Sequence, residues 1–268
     1  MSSSSIAARA ELRRTVEDRA QACSLAIAEQ LLGIASLLAG DKTLRTALAD
    51  AGQSAEARAA LVRDLFGSRV DALASDLVAA AATRRWSDAD ELVDVLDELG
   101  AVVAYTAAEA DGSLDAVEEE LFRFGRAVDA NPELQMTLTN PALPAVAKAQ
   151  IVRDLVASGA APTTTALLAH AAANLRGRRV DAVVSALTDL AAAQRERVVA
   201  QVRVAVALDE DQHRRLASVL SRLQGREVRL NVVVDPSVVG GASVRIGDDV
   251  IDGTMETRLT QARRTLIG

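Results

Sequence analysis

Leu12, Val16, Ala20, Cys23, Ile27, Leu31, Ile34 and Leu38 recur at steps of three and four, a spacing that lines one face of a helix. The run predicts one long helix or two short ones, ended by Gly40-Asp41, with Cys23 on the apolar stripe. Further helices are predicted over Lys42 to Ala49, Ala55 to Phe66, Val70 to Ala82 and Asp88 to Ala110. After the break at Asp111-Gly112-Ser113, helices follow over Leu114 to Asp129, Pro162 to Ala173 and Asp181 to Arg195, with Asn131-Pro132 and Asn140-Pro141 as stops. From Val198 the period becomes two: Val198, Ala200, Val202, Val204 and Val206 share one side of a strand. Asp209 with Gln212 forms a capping-box pattern, and Leu216, Val219, Leu220 and Leu223 are the expected inward stripe of the helix it starts. Val228, Leu230, Val232 and Val234 make a second alternating strand, followed by strands at Ala242 to Ile246 and Val250-Ile251. A closing helix is predicted with the stripe Met255, Leu259, Ala262 and Leu266.

The helical part repeats itself. Leu44 matches Leu134, an offset of 134 − 44 = 90, and the same offset lays Leu61-Val62-Arg63-Asp64-Leu65 on Ile151-Val152-Arg153-Asp154-Leu155. Leu77 to Ala82 then falls on Leu167 to Ala172 and, after a one-residue slip, Leu92 to Leu99 on Val183 to Leu190. A period this long is a whole helical domain rather than a solenoid unit. The expected architecture is mainly α with a small C-terminal α/β domain. It comprises a helical bundle over 1–104, a related bundle over 105–195, and a β-α-β-β-β-α sheet domain over 196–268. The helix ending near Ala110 serves both bundles.

Half of the 268 residues are apolar but only 2% are aromatic. The core is therefore built from Ala, Leu and Val, which favours helices that approach closely. A net charge of −7 argues against a general phosphate-neutralising surface for nucleic acid. The single cysteine, Cys23, excludes an intrachain disulfide. The N-terminal Met1 to Ser5 leads into a charged helix without the apolar core of a signal peptide, and no run approaches the roughly 18 apolar residues of a membrane span.

Candidate chemistry is sparse. Gly240-Gly241 and Gly247 lack the spacing of a phosphate-binding loop. Asp248, Asp249 and Asp252 before Gly253 fail the calcium-loop order, because Val250 and Ile251 stand where oxygen ligands belong. The expected reading of these aspartates is a hairpin turn, with Asp252 starting the final helix. His170 and His213 lie on different predicted domains, and no Ser-His-Asp, zinc-spaced or paired-carboxylate set stands out in the sequence. No cofactor, metal or catalytic residue is expected. Trp86 is the sole tryptophan, read either as a plug between helices or as a partner anchor.

The most specific segment is Asp235-Pro236-Ser237-Val238-Val239-Gly240-Gly241, continuing through Val244-Arg245-Ile246-Gly247 to Val250-Ile251-Asp252-Gly253. It closely resembles the C-terminal signature of the delta subunit of F-type ATP synthases, with Asp235, Pro236, Gly240, Gly241, Gly247, Asp252 and Gly253 as its backbone-shaping residues. Ala130-Asn131-Pro132-Glu133-Leu134, Asn140-Pro141 and Lys148-Ala149-Gln150-Ile151-Val152 resemble that family's helical bundle. The resemblance runs from about residue 92 to the end. It implies a non-catalytic stator subunit, peripheral at the cytoplasmic face of a bacterial cell membrane, with one copy per complex. The bundle would hold N-terminal helices of alpha subunits and the C-terminal domain a b-type stalk subunit. The additional N-terminal bundle is similar to that of actinobacterial relatives.

Overall fold

The structure is a computed structural model, and it describes residues 3–195, 198–224, 228–235, 238, 241–246 and 249–252. The chain splits into two compact units, Met1–Gln194 and Arg195–Gly268.

Eleven described helices build the first unit. The opening apolar run resolves into α1 (Ser3–Asp18) and α2 (Leu25–Gly40), separated by a 3-10 turn at Ala20–Ala22. Ser24 sets the second start, accepting a hydrogen bond from the Ile27 N–H at 3.3 Å. Cys23, expected on a helical stripe, instead occupies extended backbone (φ −67°, ψ 136°) between the turn and α2. Then come α3 (Lys42–Ala49), α4 (Ala55–Phe66), α5 (Ala72–Thr83) and α6 (Ala89–Ala110). They are followed by α7 (Leu114–Ala130), α8 (Pro132–Thr139), α9 (Ala145–Val156), α10 (Pro162–Ala173) and α11 (Val180–Arg195). The fifth helix starts at Ala72 rather than Val70, because the Asp71 carboxylate accepts the Leu73 N–H and ends the preceding loop.

The ninety-residue offset is visible in the elements. Three pairs of helices start 90 residues apart: 132 − 42, 145 − 55 and 162 − 72. The starts of α6 and α11 differ by 180 − 89 = 91. Local hydrogen bonds recur with them. Asp41 caps α3 by accepting from Leu44 N–H, as Asn131 caps α8 by accepting from Leu134 N–H. The Gln30 amide oxygen accepts from Asp71 N–H at 2.8 Å, and the Glu120 carboxylate from Ala161 N–H at 2.9 Å. Arg45 of α3 pairs with Asp90 on α6, and Gln135 of α8 donates to Asp181 on α11.

One continuous apolar core nevertheless runs through this unit, from Leu12 and Val16 to Val184 and Ala191. Its axis is α6. Gly100 lets α2 approach so closely that a Cβ there would lie 2.6 Å from Leu32 Cδ2. Further along α6, fully buried Tyr105 donates its hydroxyl to the Leu187 carbonyl of α11 at 2.9 Å. Burial pushes the phenol's ionisation well above its ordinary range, so it remains a donor. The expected boundary between residues 104 and 105 falls inside this helix.

In the second unit, β1 (Val198–Val204), α12 (Glu210–Gln224), β2 (Val228–Val234), β3 (Ala242–Ile246) and β4 (Asp249–Asp252) follow in that order. The sheet order is β2-β1-β3-β4. Strand β2 runs parallel to β1 with Val204 opposite Val234, and β3 antiparallel with Val204 opposite Ala242. The capping box forms as the spacing predicts: Gln212 N–H donates to Asp209 Oδ1 at 2.7 Å, and Asp209 N–H to Gln212 Oε1 at 3.0 Å. The core is Val202, Val204, Leu220, Val228 and Val244. Two expectations are corrected here. Val206 lies beyond the end of β1 and is 74% exposed. Val219 and Leu223 point away from the core at 44% and 68% exposure, because the helix buries a narrower stripe centred on Leu220 and Leu216.

Candidate interaction surfaces

An open groove of about 720 Å³ lies between α2, α9 and α10. Its width follows from side-chain size: Thr165, Ala166, Ala169 and Ala173 recur at three- and four-residue steps along α10, and Gly33 faces them from α2. Small residues at this spacing leave room for another helix backbone to approach. Its lining carries two charged residues, Arg153 from α9 and Glu29 from α2. Among the described residues, neither makes an ion pair.

Ser36, His170 and Asn174 give the lining a polar cluster. His170 Nε2 lies 2.8 Å from Asp97 Oδ1 on α6, and its Nδ1 lies 3.3 Å from Asn174 Nδ2 and 3.5 Å from Ser36 Oγ. A neutral ring with its proton on Nε2 satisfies these contacts, donating to Asp97 and accepting from the Asn174 amide. Arg176, in the left-handed region at φ 49°, bridges Asp94 and Asp97 at 2.6 and 2.7 Å. The cluster thus ties the α10–α11 loop to α6 and to α2.

Ser36, His170 and Asp97 are a serine, a histidine and an aspartate in line, a grouping hidden in the sequence by separations of 73 and 134 residues. They do not form a nucleophilic triad. The Ser36 hydroxyl donates to Leu32 O of its own helix at 3.0 Å, and 3.5 Å to the ring is too long for proton transfer. Position 36 also lies inside α2, where neighbouring N–H groups are engaged by the helix and unable to stabilise an oxyanion.

Of the signature residues singled out in the sequence, Asp235, Gly241 and Asp252 lie among the described residues. Asp235 follows β2; its N–H donates to Val204 O of β1 at 2.8 Å, its carbonyl accepts from Val238 N–H at 3.0 Å, and its carboxylate pairs with Arg203. Gly241, at φ +83°, takes a conformation that side chains resist and leads into β3. Asp252 ends β4 opposite Ser243. Pro236, Gly240, Gly247 and Gly253 lie outside the described residues, as does the predicted closing helix. The same unit exposes Val219 and Leu223, one turn apart on α12, and also Val233 and Val234, which as neighbours on β2 point to opposite faces; the α12 pair is an apolar patch of the kind that receives a partner. Trp86 sits in the first unit, half-buried against the core, with its indole N–H donating to Ala81 O at 2.9 Å.

Among the described residues, no group of three or more potential ligands could hold a metal ion, and no helix is long and apolar enough to cross a membrane.

Comparison with known proteins gives a consistent result. The family model described as ATP synthase delta (OSCP) subunit matches residues 101–266. The ATP synthase subunit delta of Streptomyces avermitilis is 42% identical over 240 residues, covering 90% of this chain and 88% of the relative. That of Streptomyces griseus is 40% identical over 263 residues, covering 98% and 97%. That of a Parafrankia species is 42% identical over 240 residues, covering 90% and 86%. The match to the Streptomyces griseus protein extends over almost all of both chains, so the helices before residue 101 have a counterpart there. By the family match and by these identities, the chain belongs to the ATP synthase delta (OSCP) subunit family.

Proposed function

We propose that this protein is a non-catalytic stator subunit of an F-type ATP synthase, joining the alpha/beta catalytic head to a b-type peripheral stalk. The helical unit holds the head through N-terminal helices of alpha subunits, and the sheet-bearing unit holds the stalk. One copy per complex prevents the head from turning with the rotor, so that torque is coupled to ATP synthesis. Its place is peripheral, at the cytoplasmic face of a bacterial cell membrane.

The observation that carries this reading is the near full-length match to a curated ATP synthase subunit delta. Its chemistry is supported by two separate surfaces suited to amphipathic helices: the small-residue groove of the first unit and the exposed pair Val219 and Leu223 on α12 of the second. We read the helical unit as two duplicated bundles, 1–104 and 105–195, sharing α6, with 196–268 as the stalk-holding domain. The recurring caps and cross-helix hydrogen bonds at offsets of 90 and 91 support the duplication.

Affinity purification of the tagged full chain from its own cells tests the proposal. Stoichiometric recovery of alpha, beta and b-type subunits is expected. Recovery of the chain without them would favour a free-standing helical adaptor instead.

A further inference from the structure

Asp94, Asp97, Arg176 and His170 meet where the two halves of the helical unit join. We propose that they form a latch that holds the first repeat at one fixed setting on the second, with the shared helix α6 as the axis about which the repeats would otherwise swing. Its release would change the spacing between α2 and α10 without unfolding either repeat. The latch rests on the two-bundle reading of the helical unit, and on the stator reading only for its effect on coupling.

The cluster draws its two signs of charge from different repeats. At the offset of 91 that relates α6 to α11, Asp94 and Asp97 match Ser185 and Thr188, so both carboxylates belong to the last helix of the first repeat. Arg176 stands in the α10–α11 loop of the second repeat, and His170 on α10. Neither side of the cluster recurs at the matching positions. Ser185 and Thr188 are uncharged, and Thr188 turns its hydroxyl onto Val184 O of its own helix at 3.0 Å. In the first repeat Ala80 stands 90 residues before His170, and Trp86 stands 90 before Arg176. That loop is closed instead by the Trp86 indole, which donates to Ala81 O. The charged set is therefore a property of the joint and not of the repeated bundle.

Asp97 is the centre of the hold. Its Oδ1 lies 2.8 Å from His170 Nε2 and its Oδ2 2.7 Å from Arg176 Nη2, which also reaches Asp94 Oδ1 at 2.6 Å. Arg178 Nη2, at 3.9 Å from Asp97, adds a second cation from the same loop. Through His170 the hold extends to Ser36 of α2. Arg176 keeps φ at 49°, a left-handed setting that a side chain resists. Such a setting persists where its surroundings over-determine it, and here two carboxylates do so. The Asp97 and Arg176 side chains are 19% and 22% exposed, so salt screens their attraction less than that of a surface pair.

Beside this joint the repeats do not interlock. The open groove lies between α2 of the first repeat and α9 and α10 of the second, and a Cβ added at Gly33 in its lining would meet nothing within 4 Å. A shared helix, an open cleft beside it and a charged contact spanning the cleft's two sides are the parts of a hinge and its clasp. A subunit that resists torque needs that clasp shut.

The test uses the full chain carrying Cys23→Ser, with spin labels attached through Gln53→Cys and Ala142→Cys, exposed loop positions in the first and second repeat. Double electron–electron resonance should give one narrow distance in this parent. Asp97→Asn should replace it with a broad or second distance, while amide hydrogen exchange inside each repeat stays as in the parent. Arg176→Gly keeps the left-handed turn and removes the guanidinium, so it should do the same, and it carries the test if Asp97→Asn does not fold. Glu119→Gln breaks an exposed pair on α7 and should leave the distance unchanged. A narrow, unaltered distance in both latch variants would overturn the latch, and so would unfolding of both, which would make the cluster part of the folding core. In membranes stripped of the subunit, Asp97→Asn should restore less proton pumping per ATP hydrolysed than the unaltered chain. Full pumping by Asp97→Asn would overturn the latch's role in coupling. Failure of the unaltered chain to restore pumping would overturn the stator reading and leave the latch standing on the spin-label distances.

Discussion

Gly33 and Gly100 allow the same substitution to be made on two neighbouring helices with opposite expected results. Alanine replaces glycine in a helix interior with a gain of about 0.8–1 kcal/mol, because glycine loses more backbone freedom on folding. At Gly33 nothing opposes that gain, since an added Cβ meets no atom within 4 Å. At Gly100 the added carbon would lie 2.6 Å from Leu32 Cδ2, 2.8 Å from its Cγ and 3.5 Å from the Ala28 carbonyl oxygen. Leu32 is buried at 5% exposure, so its displacement disturbs the core, and overpacking of this kind costs about 1–3 kcal/mol. Gly33→Ala should therefore stabilise by about 1 kcal/mol. The difference between the two variants, free of helix propensity, should be about 1–3 kcal/mol. Urea denaturation followed by the fluorescence of Trp86, the only tryptophan and a residue of the helical unit, reports the relevant transition. Equal stabilisation by both substitutions, within about 0.5 kcal/mol, would refute the close approach of α2 and α6.

Tyr105→Phe keeps the ring but removes the hydroxyl's hydrogen bond to the Leu187 carbonyl, which retains a helical donor inside α11, and should cost about 0.5–1.5 kcal/mol in the same denaturation experiment. Gly241→Val places a β-branched residue at φ +83° and should destabilise the sheet unit by about 1–3 kcal/mol, with Gly241→Asn milder; hydrogen exchange across β1 and β3 reads the difference. The Glu91 carboxylate is held below its ordinary 4.5, chiefly by the Ser87 N–H and also by the Ser5 hydroxyl, against the opposing cost of burial. A lowered folded-state pKa means that its stabilisation is present above the unfolded value and fades as pH falls through the folded one. The loss on Glu91→Gln should accordingly be largest at neutral pH and shrink below about pH 4.5, as melting temperatures against pH would show.

Much of the fold was legible because its punctuation is chemical. Asp41, Ser54 and Asp88 each cap a helix with a side-chain oxygen, and Pro162 occupies a first-turn position, so those helix starts could be read directly, whereas Asn131-Pro132, read as a stop, starts α8. The ninety-residue offset was legible for the same reason, since caps and apolar steps recur together. Tertiary packing limited the rest. Val219 and Leu223 fit an inward stripe by spacing alone, but only the sheet decides how broad a stripe α12 buries. The polar cluster at the groove joins Ser36, Asp97 and His170 from three helices, and a pattern along one helix carries no trace of it. Arg176 at positive φ lacks the glycine that would have signalled its conformation; two carboxylates hold it instead.

Coupling tests the central claim most directly. Membranes stripped of this subunit and supplied with the purified full chain can be assayed for ATP hydrolysis and ATP-driven proton pumping together. A stator subunit restores pumping while leaving the catalytic head's own hydrolysis intact in its absence. Pumping that is equally strong without the chain, or hydrolysis by isolated heads that requires it, would contradict the account.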